Sequence, residues 1–145
     1  MPKVLVSTVI NAPIDRVWRT ASDFNGLPAW MPGMKDSSIE DNKPPNVVGA
    51  VRRLGMASTK DILRERLELL DADNYRITYS VLEGPLPVKK IVTSMHLRPI
   101  TDNYGTLAEW STQFETEPGK EAEGEAFMAR VFGAGFRALK RHLGV

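Results

Sequence analysis

Arg52 and Glu65 are the two residues of this sequence best placed to do chemistry, because strand parity turns both charged side chains toward an otherwise apolar interior. Either one buried alone is costly, so they are expected as a pair, with the side chains within about 6 Å of each other. Three roles fit such a pair. It can be an ion pair that fixes strand register, a polar anchor for a ligand's carboxylate, hydroxyl or carbonyl, or the seat of acid–base chemistry by Glu65. Tyr79 adds a hydroxyl that can bond a ligand or act as a weak acid, and Tyr75 adds another. Both rings serve equally as apolar area whose hydroxyl is satisfied locally. The candidate catalytic residues are therefore Glu65, Arg52 and Tyr79.

Other chemistry is sparse. His96 falls on an outward strand face and His142 near the end of the last helix, and two histidines are too few for a Ser/His/Asp triad or a His-rich metal site. The absence of cysteine removes disulfides, thiolate nucleophiles and Cys-ligated metals. Gly119, Gly124 and Gly133 lack the strand-then-helix setting of a phosphate-binding loop. No metal or cofactor is expected.

The elements that must position these residues follow from periodicity. Lys3–Ile10 is β-rich, and Asn11-Ala12-Pro13 stops it, with Asn11 as a candidate helix cap. Ile14, Val17, Trp18 and Ala21 then recur at helical spacing, and a second short helical segment over 24–31 is broken by Gly26 and Pro28. Strands are predicted over 37–41, 49–54, 62–70, 75–83, 88–98 and 106–115, separated by turns short enough for an antiparallel meander. A last helix over 121–143 gathers Met128, Val131, Phe132, Phe136, Leu139 and Leu143 on one face, and Arg130, Arg137, Lys140 and Arg141 mostly elsewhere.

Register can be derived from the turns. A turn near Ser58-Thr59 sets Leu54 against Leu63 and Arg52 against Glu65. One near Asp102-Asn103 sets Leu97 against Ala108, Met95 against Trp110, Thr93 against Thr112 and Ile91 against Phe114. Lys90, His96, Arg98, Glu109 and Gln113 then form the solvated face, and Tyr75, Ile77, Tyr79 and Val81 share one face of the middle strand. The sheet's apolar face needs a cover, and the last helix is the element long enough to provide it. Met128, Gly133 and Gly135 are expected to leave room beneath it; a core packed full by the same residues is equally compatible with the pattern.

With 145 residues the chain suits one domain with a substantial core, spanning 1–145. A formal net charge of +1 gives no electrostatic case for nucleic acid or an anionic membrane surface, and the basic clusters Arg52-Arg53 and Lys89-Lys90 read as solvated strand residues. The opening MPKVLVSTVI reads as a strand rather than a signal peptide, and no apolar run reaches the ~20 residues that span a bilayer. A soluble, cytoplasmic protein is expected, monomeric or homodimeric, with no membrane insertion.

The run Asn-Ala-Pro-Ile-Asp-Arg-Val-Trp at 11–18, with Ser-Asp-Phe at 22–24 and Pro-Ala-Trp-Met-Pro at 28–32, resembles the opening of polyketide cyclase/dehydrase-type proteins of the START-like (SRPBCC) superfamily. Gly-Ala-Val-Arg at 49–52, Arg-Glu-Arg-Leu at 64–67, Glu-Gly-Pro-Leu-Pro-Val at 83–88, Trp110, Phe114 and Ala-Leu-Lys at 138–140 match in order, over nearly the whole chain. The likeness is nearest to bacterial proteins grouped with the plant abscisic-acid receptors. It implies an α+β helix-grip fold: a seven-stranded antiparallel sheet around the C-terminal helix, two short helices after the first strand, and a cavity entered past the loops 55–60 and 83–88. The receptors' Ser-Gly-Leu-Pro-Ala gate is missing from 55–60, and Gly-Leu-Pro-Ala at 26–29 lies in the helical region, so abscisic-acid recognition is not implied.

The function this implies is binding or carriage of a small, largely apolar ligand (lipid, aromatic or polyketide-like), with a cyclase or dehydratase working in the same cavity as the alternative. A third possibility is an interaction module whose outer surface is switched by its ligand. The expected lining is Trp30, Arg52, Leu54, Glu65, Leu67, Ile77, Tyr79, Val81, Met95, Trp110, Phe114, Met128, Phe132 and Phe136, with Trp110, Tyr79, Phe114 and Phe132 around the void itself.

Overall fold

Alternating apolar residues from Lys3 onward build the first strand, and the computed structural model, which describes residues 1–145, carries the pattern through seven strands. In chain order these are β1 (Lys3–Ile10), α1 (Ile14–Ala21), a 3-10 segment (Phe24–Ala29), β2 (Met34–Ile39), β3 (Val51–Met56), β4 (Ile62–Asp71), β5 (Arg76–Glu83), β6 (Lys89–Pro99), β7 (Thr106–Glu115) and α2 (Glu121–Leu143). The sheet is antiparallel in the order β1-β7-β6-β5-β4-β3-β2. Sequence neighbours pair throughout, except that β1 closes onto β7. No helix is long and apolar enough to cross a membrane.

The helix covers the sheet as the 3.6-residue period requires. Met128, Phe132, Gly135, Phe136, Leu139 and Leu143 are buried, and acidic Glu121 and Glu123 open the first turn. Gly144 ends it in the left-handed region (φ 77°), its N–H donating to the Arg141 carbonyl and that of Val145 to the Lys140 carbonyl. Arg16 of α1 also donates to the Leu143 carbonyl and ties the two helices.

Most of the derived registers are present: Arg52 opposes Glu65, Leu54 opposes Leu63, and Thr93, Met95 and Leu97 oppose Thr112, Trp110 and Ala108. Ile91 and Phe114 do not pair directly, because the ladder shifts between Lys89 and Val92, where Lys90 takes a positive φ of 52° and forms a bulge. Tyr75 precedes β5 with φ 54°; it packs edge-on against Trp18 of α1 at 5.8 Å and its hydroxyl donates to Asp15, away from Tyr79. β2 starts earlier than expected and stops at Ile39, since Asp41 and Asn42 turn left-handed. Gly55 belongs to β3 rather than to the turn, paired with Ile62 and Asp36. Asn11 caps nothing: Pro13 is the residue before α1, and its carbonyl receives the Arg16 and Val17 N–H groups.

The helix glycines act opposite to expectation. A Cβ on Gly135 would lie 2.6 Å from Trp110 Cζ3 and 3.0 Å from Met31 Sδ, so this glycine admits the indole against the helix rather than leaving room. Gly133 faces away, with only Arg137 Nη1 within reach at 3.4 Å. Gly135→Ala should therefore cost about 1–3 kcal/mol by overpacking, whereas Gly133→Ala should be neutral or stabilise by about 0.5–1 kcal/mol through helix propensity. Urea unfolding of the two variants checks the contrast.

Candidate functional site

Arg52 and Glu65 sit side by side on the inward faces of β3 and β4, with side chains only 3% and 7% exposed. Arg52 Nε and Nη2 donate to Glu65 Oε1 at 2.9 and 2.6 Å, and Nη1 donates to the Phe24 carbonyl at 2.7 Å. The guanidinium also lies over the Phe24 ring (4.1 Å to the centroid) and the Tyr79 ring (4.8 Å). All three of its nitrogens are thus engaged by protein. Both bonds to the carboxylate converge on Oε1, and Oε2 has no protein partner.

Tyr79 stands beside this pair on β5. Its hydroxyl accepts from Trp110 Nε1 at 3.2 Å, and its own proton has no protein acceptor. Burial, and then the neighbouring Glu65 charge, push the phenol well above its ordinary value; Arg52 and the bond from Trp110 offset this in part. Tyr79 is accordingly a standing hydrogen-bond donor. Trp110 in turn is held by Phe132, stacked at 4.5 Å and 14°, by Phe136 at 5.3 Å and by Trp30 at 6.0 Å.

Between these groups and the N-terminal half of α2 lies a cavity of about 170 Å³. Buried Glu65, Tyr79, Ile91, Thr93, Trp110, Met128 and Phe132 form its deep wall, and half-buried Leu27, Met34, Met56, Val81, Leu86, Phe127 and Val131 form its rim, with Met31, Pro32 and Leu63 completing the lining. Fourteen of the seventeen lining residues are hydrophobic, so polarity is confined to Glu65, Thr93 and the Tyr79 hydroxyl. Thr93 already donates to Thr112 at 3.1 Å. A broader groove on the outer sheet face, along Lys3, Leu5, Ser94, Ser111 and Gln113, is open, is lined mostly by polar residues and offers no such enclosure.

Of the expected lining, Glu65, Tyr79, Val81, Trp110, Met128 and Phe132 border the cavity. Trp30, Arg52, Leu54, Leu67, Ile77, Met95, Phe114 and Phe136 are buried but lie elsewhere in the interior. Parity turned the strand residues among them inward, yet the cavity occupies only one end of the sheet. Leu67, Ile77 and Met95 each stand one inward position beyond a bordering residue (Glu65, Tyr79 and Thr93) and join the packed core. Phe114 is displaced from the expected void because it packs under Gly124, where an added Cβ would meet its ring at 2.9 Å. Arg52 stands behind Glu65, turned toward Phe24.

The residues not anticipated come from strands, loops and both helical regions. Leu86 lies in the expected mouth loop 83–88, and Leu63, Ile91 and Thr93 were already on inward faces. Phe127 and Val131 flank Met128 on α2, while Leu27 of the 3-10 segment, Met31 and Pro32 after it, and Met34 at the start of β2 come from a stretch with no strand alternation to read. Methionines 31, 34, 56 and 128 all line the space, four of the chain's six, and their flexible thioethers suit a wall that adapts to its guest.

The pair can be tested apart from any ligand. Arg52→Met strands the Glu65 carboxylate and should cost about 3–5 kcal/mol, and adding Glu65→Leu should restore much of that. Denaturant unfolding of both variants measures it; a loss below about 1 kcal/mol in the single variant would mean that the pair carries little weight.

Comparison with known proteins places this geometry. The family model described as "Polyketide cyclase / dehydrase and lipid transport" matches residues 1–144. Among solved structures, the protein XoxI from Bacillus cereus superposes with a TM-score of 0.85 at 26% identity, over 97% of this chain and 94% of that one. A protein from Nitrosospira multiformis gives 0.83 at 29% identity, over 97% and 94%. One from Thermobifida fusca gives 0.84 at 26% identity, over 98% and 93%. With the match running across the sheet, both helices and the cavity between them, the chain belongs to the polyketide cyclase/dehydrase and lipid transport family.

Proposed function

We propose that the 145 residues act as one ligand-binding domain that binds or carries a small, largely apolar molecule in the cavity between sheet and α2. The observation that carries this reading is an apolar space of about 170 Å³ with its polar groups gathered on one wall. Membership of a cyclase and lipid-transport family supports a hydrophobic guest. Size narrows the choice. A cavity of roughly 150 Å³ holds one benzene, whereas drug-sized ligands take roughly 300–1,000 Å³. A single ring or a short acyl segment fits this volume; a whole lipid or a folded polyketide chain would have to extend past the rim or displace the methionine side chains.

Carriage is favoured over cyclisation for the same reason, since ring closure by positioning needs room for the whole flexible substrate. The nearer likeness to bacterial proteins grouped with the plant abscisic-acid receptors belongs to this proposal only as shared architecture, because the loop 55–60 lacks their gate.

Toluene is a suitable probe. It should bind the protein with perturbation of the Trp110 and Met128 resonances, and Val131→Trp, which plugs the rim from a half-buried helix position, should weaken binding at least about tenfold, roughly 1.4 kcal/mol. Binding of toluene with equal affinity by the plugged variant would remove the cavity from the account.

A further inference from the structure

The polar wall has a definite hydrogen-bonding polarity. Glu65 is locked to Arg52 through Oε1 alone, which leaves Oε2 as an acceptor without a protein donor. A carboxylate oxygen at an apolar wall calls for one. Tyr79, on the adjacent strand and bordering the same cavity, has its acceptor side filled by Trp110 and its proton uncommitted. Thr93 contributes no competing donor, its proton going to Thr112. Arg52, the cation that a carboxylate guest would seek, is turned away behind Glu65, its three nitrogens all bonded to protein.

We propose that the cavity selects an uncharged hydroxyl on a compact apolar skeleton, the hydroxyl donating to Glu65 Oε2 and accepting from the Tyr79 hydroxyl. A hydroxyl is the simplest group that donates and accepts at one atom. An ether or carbonyl accepts from Tyr79 but brings nothing to Glu65. A carboxylate sets a second negative charge beside the first in a low-dielectric space, and at neutral pH it is excluded. The inference rests on the apolar-ligand reading and specifies its ligand as a phenol or small alcohol.

Three probes that share one tolyl ring separate the possibilities: toluene, 4-methylphenol and 4-methylbenzoate, with neutral methyl 4-methylbenzoate as the size control for the last, titrated at pH 7 by calorimetry or NMR. The account expects 4-methylphenol to bind about tenfold tighter than toluene, and 4-methylbenzoate at least about a hundredfold weaker than 4-methylphenol. In Tyr79→Phe, which keeps the ring over Arg52, the ratio of 4-methylphenol to toluene affinity should fall by about tenfold. If 4-methylphenol gains nothing over toluene, or its advantage survives Tyr79→Phe, the hydroxyl inference is overturned while the apolar cavity stands. Tighter binding of 4-methylbenzoate also overturns it and points to an anion anchor. If toluene and 4-methylphenol both fail to bind, the underlying reading falls with it.

Discussion

A guanidinium held between two aromatic rings and bonded to one carboxylate oxygen is the constraint on which the interior is arranged. Arg52 reaches from β3 to the Phe24 carbonyl and ring, to Glu65 on β4 and to the Tyr79 ring on β5, so one side chain ties the 3-10 segment to three successive strands. Taking these charges out of water is expensive, and only the combination of ion pair, carbonyl acceptor and two ring faces offsets the cost. The arrangement has a chemical by-product. Both bonds fall on Oε1, which leaves the other carboxylate oxygen without a protein donor on a residue that, like Tyr79, borders the space under the helix.

That space lies along the stretch of α2 between two glycines at which the helix packs closely on its neighbours. Gly124 lets the helix down onto Phe114, Thr116 and Val88, and Gly135 lets it down onto Trp110 and Met31. The helix residues that border the cavity, Phe127, Met128, Val131 and Phe132, all fall between these two glycines. Tight packing is thus not opposed to a cavity here. The close contacts at Gly124 and Gly135 flank the cavity, and the side chains between them leave it unfilled. The stack of Trp110 on Phe132 closes the deep end, and adaptable methionines stand at the rim.

Much of this was legible in the residues. Turn positions together with period-two alternation put Arg52 opposite Glu65 and Met95 opposite Trp110, because a slip of one residue would have turned every apolar side chain outward. The seven-stranded sheet and the bounds of α2 followed from the same patterning with the family resemblance. Parity says only that a side chain points inward, however. Whether it meets a cavity, as Tyr79 does, or packed neighbours, as Ile77 two residues away does, depends on where the helix touches down. Glycine at 135 read as spare room when its function is close approach, and the Lys90 bulge that shifts Ile91 past Phe114 has no glycine to signal it. The stretch over 27–34, which supplies four lining residues, read only as a short helical segment broken by Gly26 and Pro28, with no pattern to say which side chains face inward.

Crystals pressurised with xenon test the central claim most directly, because xenon enters dry apolar cavities without needing any polar contact. The account predicts an anomalous-scattering peak bordered by Met128, Phe132, Trp110 and Ile91, and its loss in Val131→Trp. Diffraction showing that volume filled by repacked side chains, with no xenon peak under the helix, would contradict it.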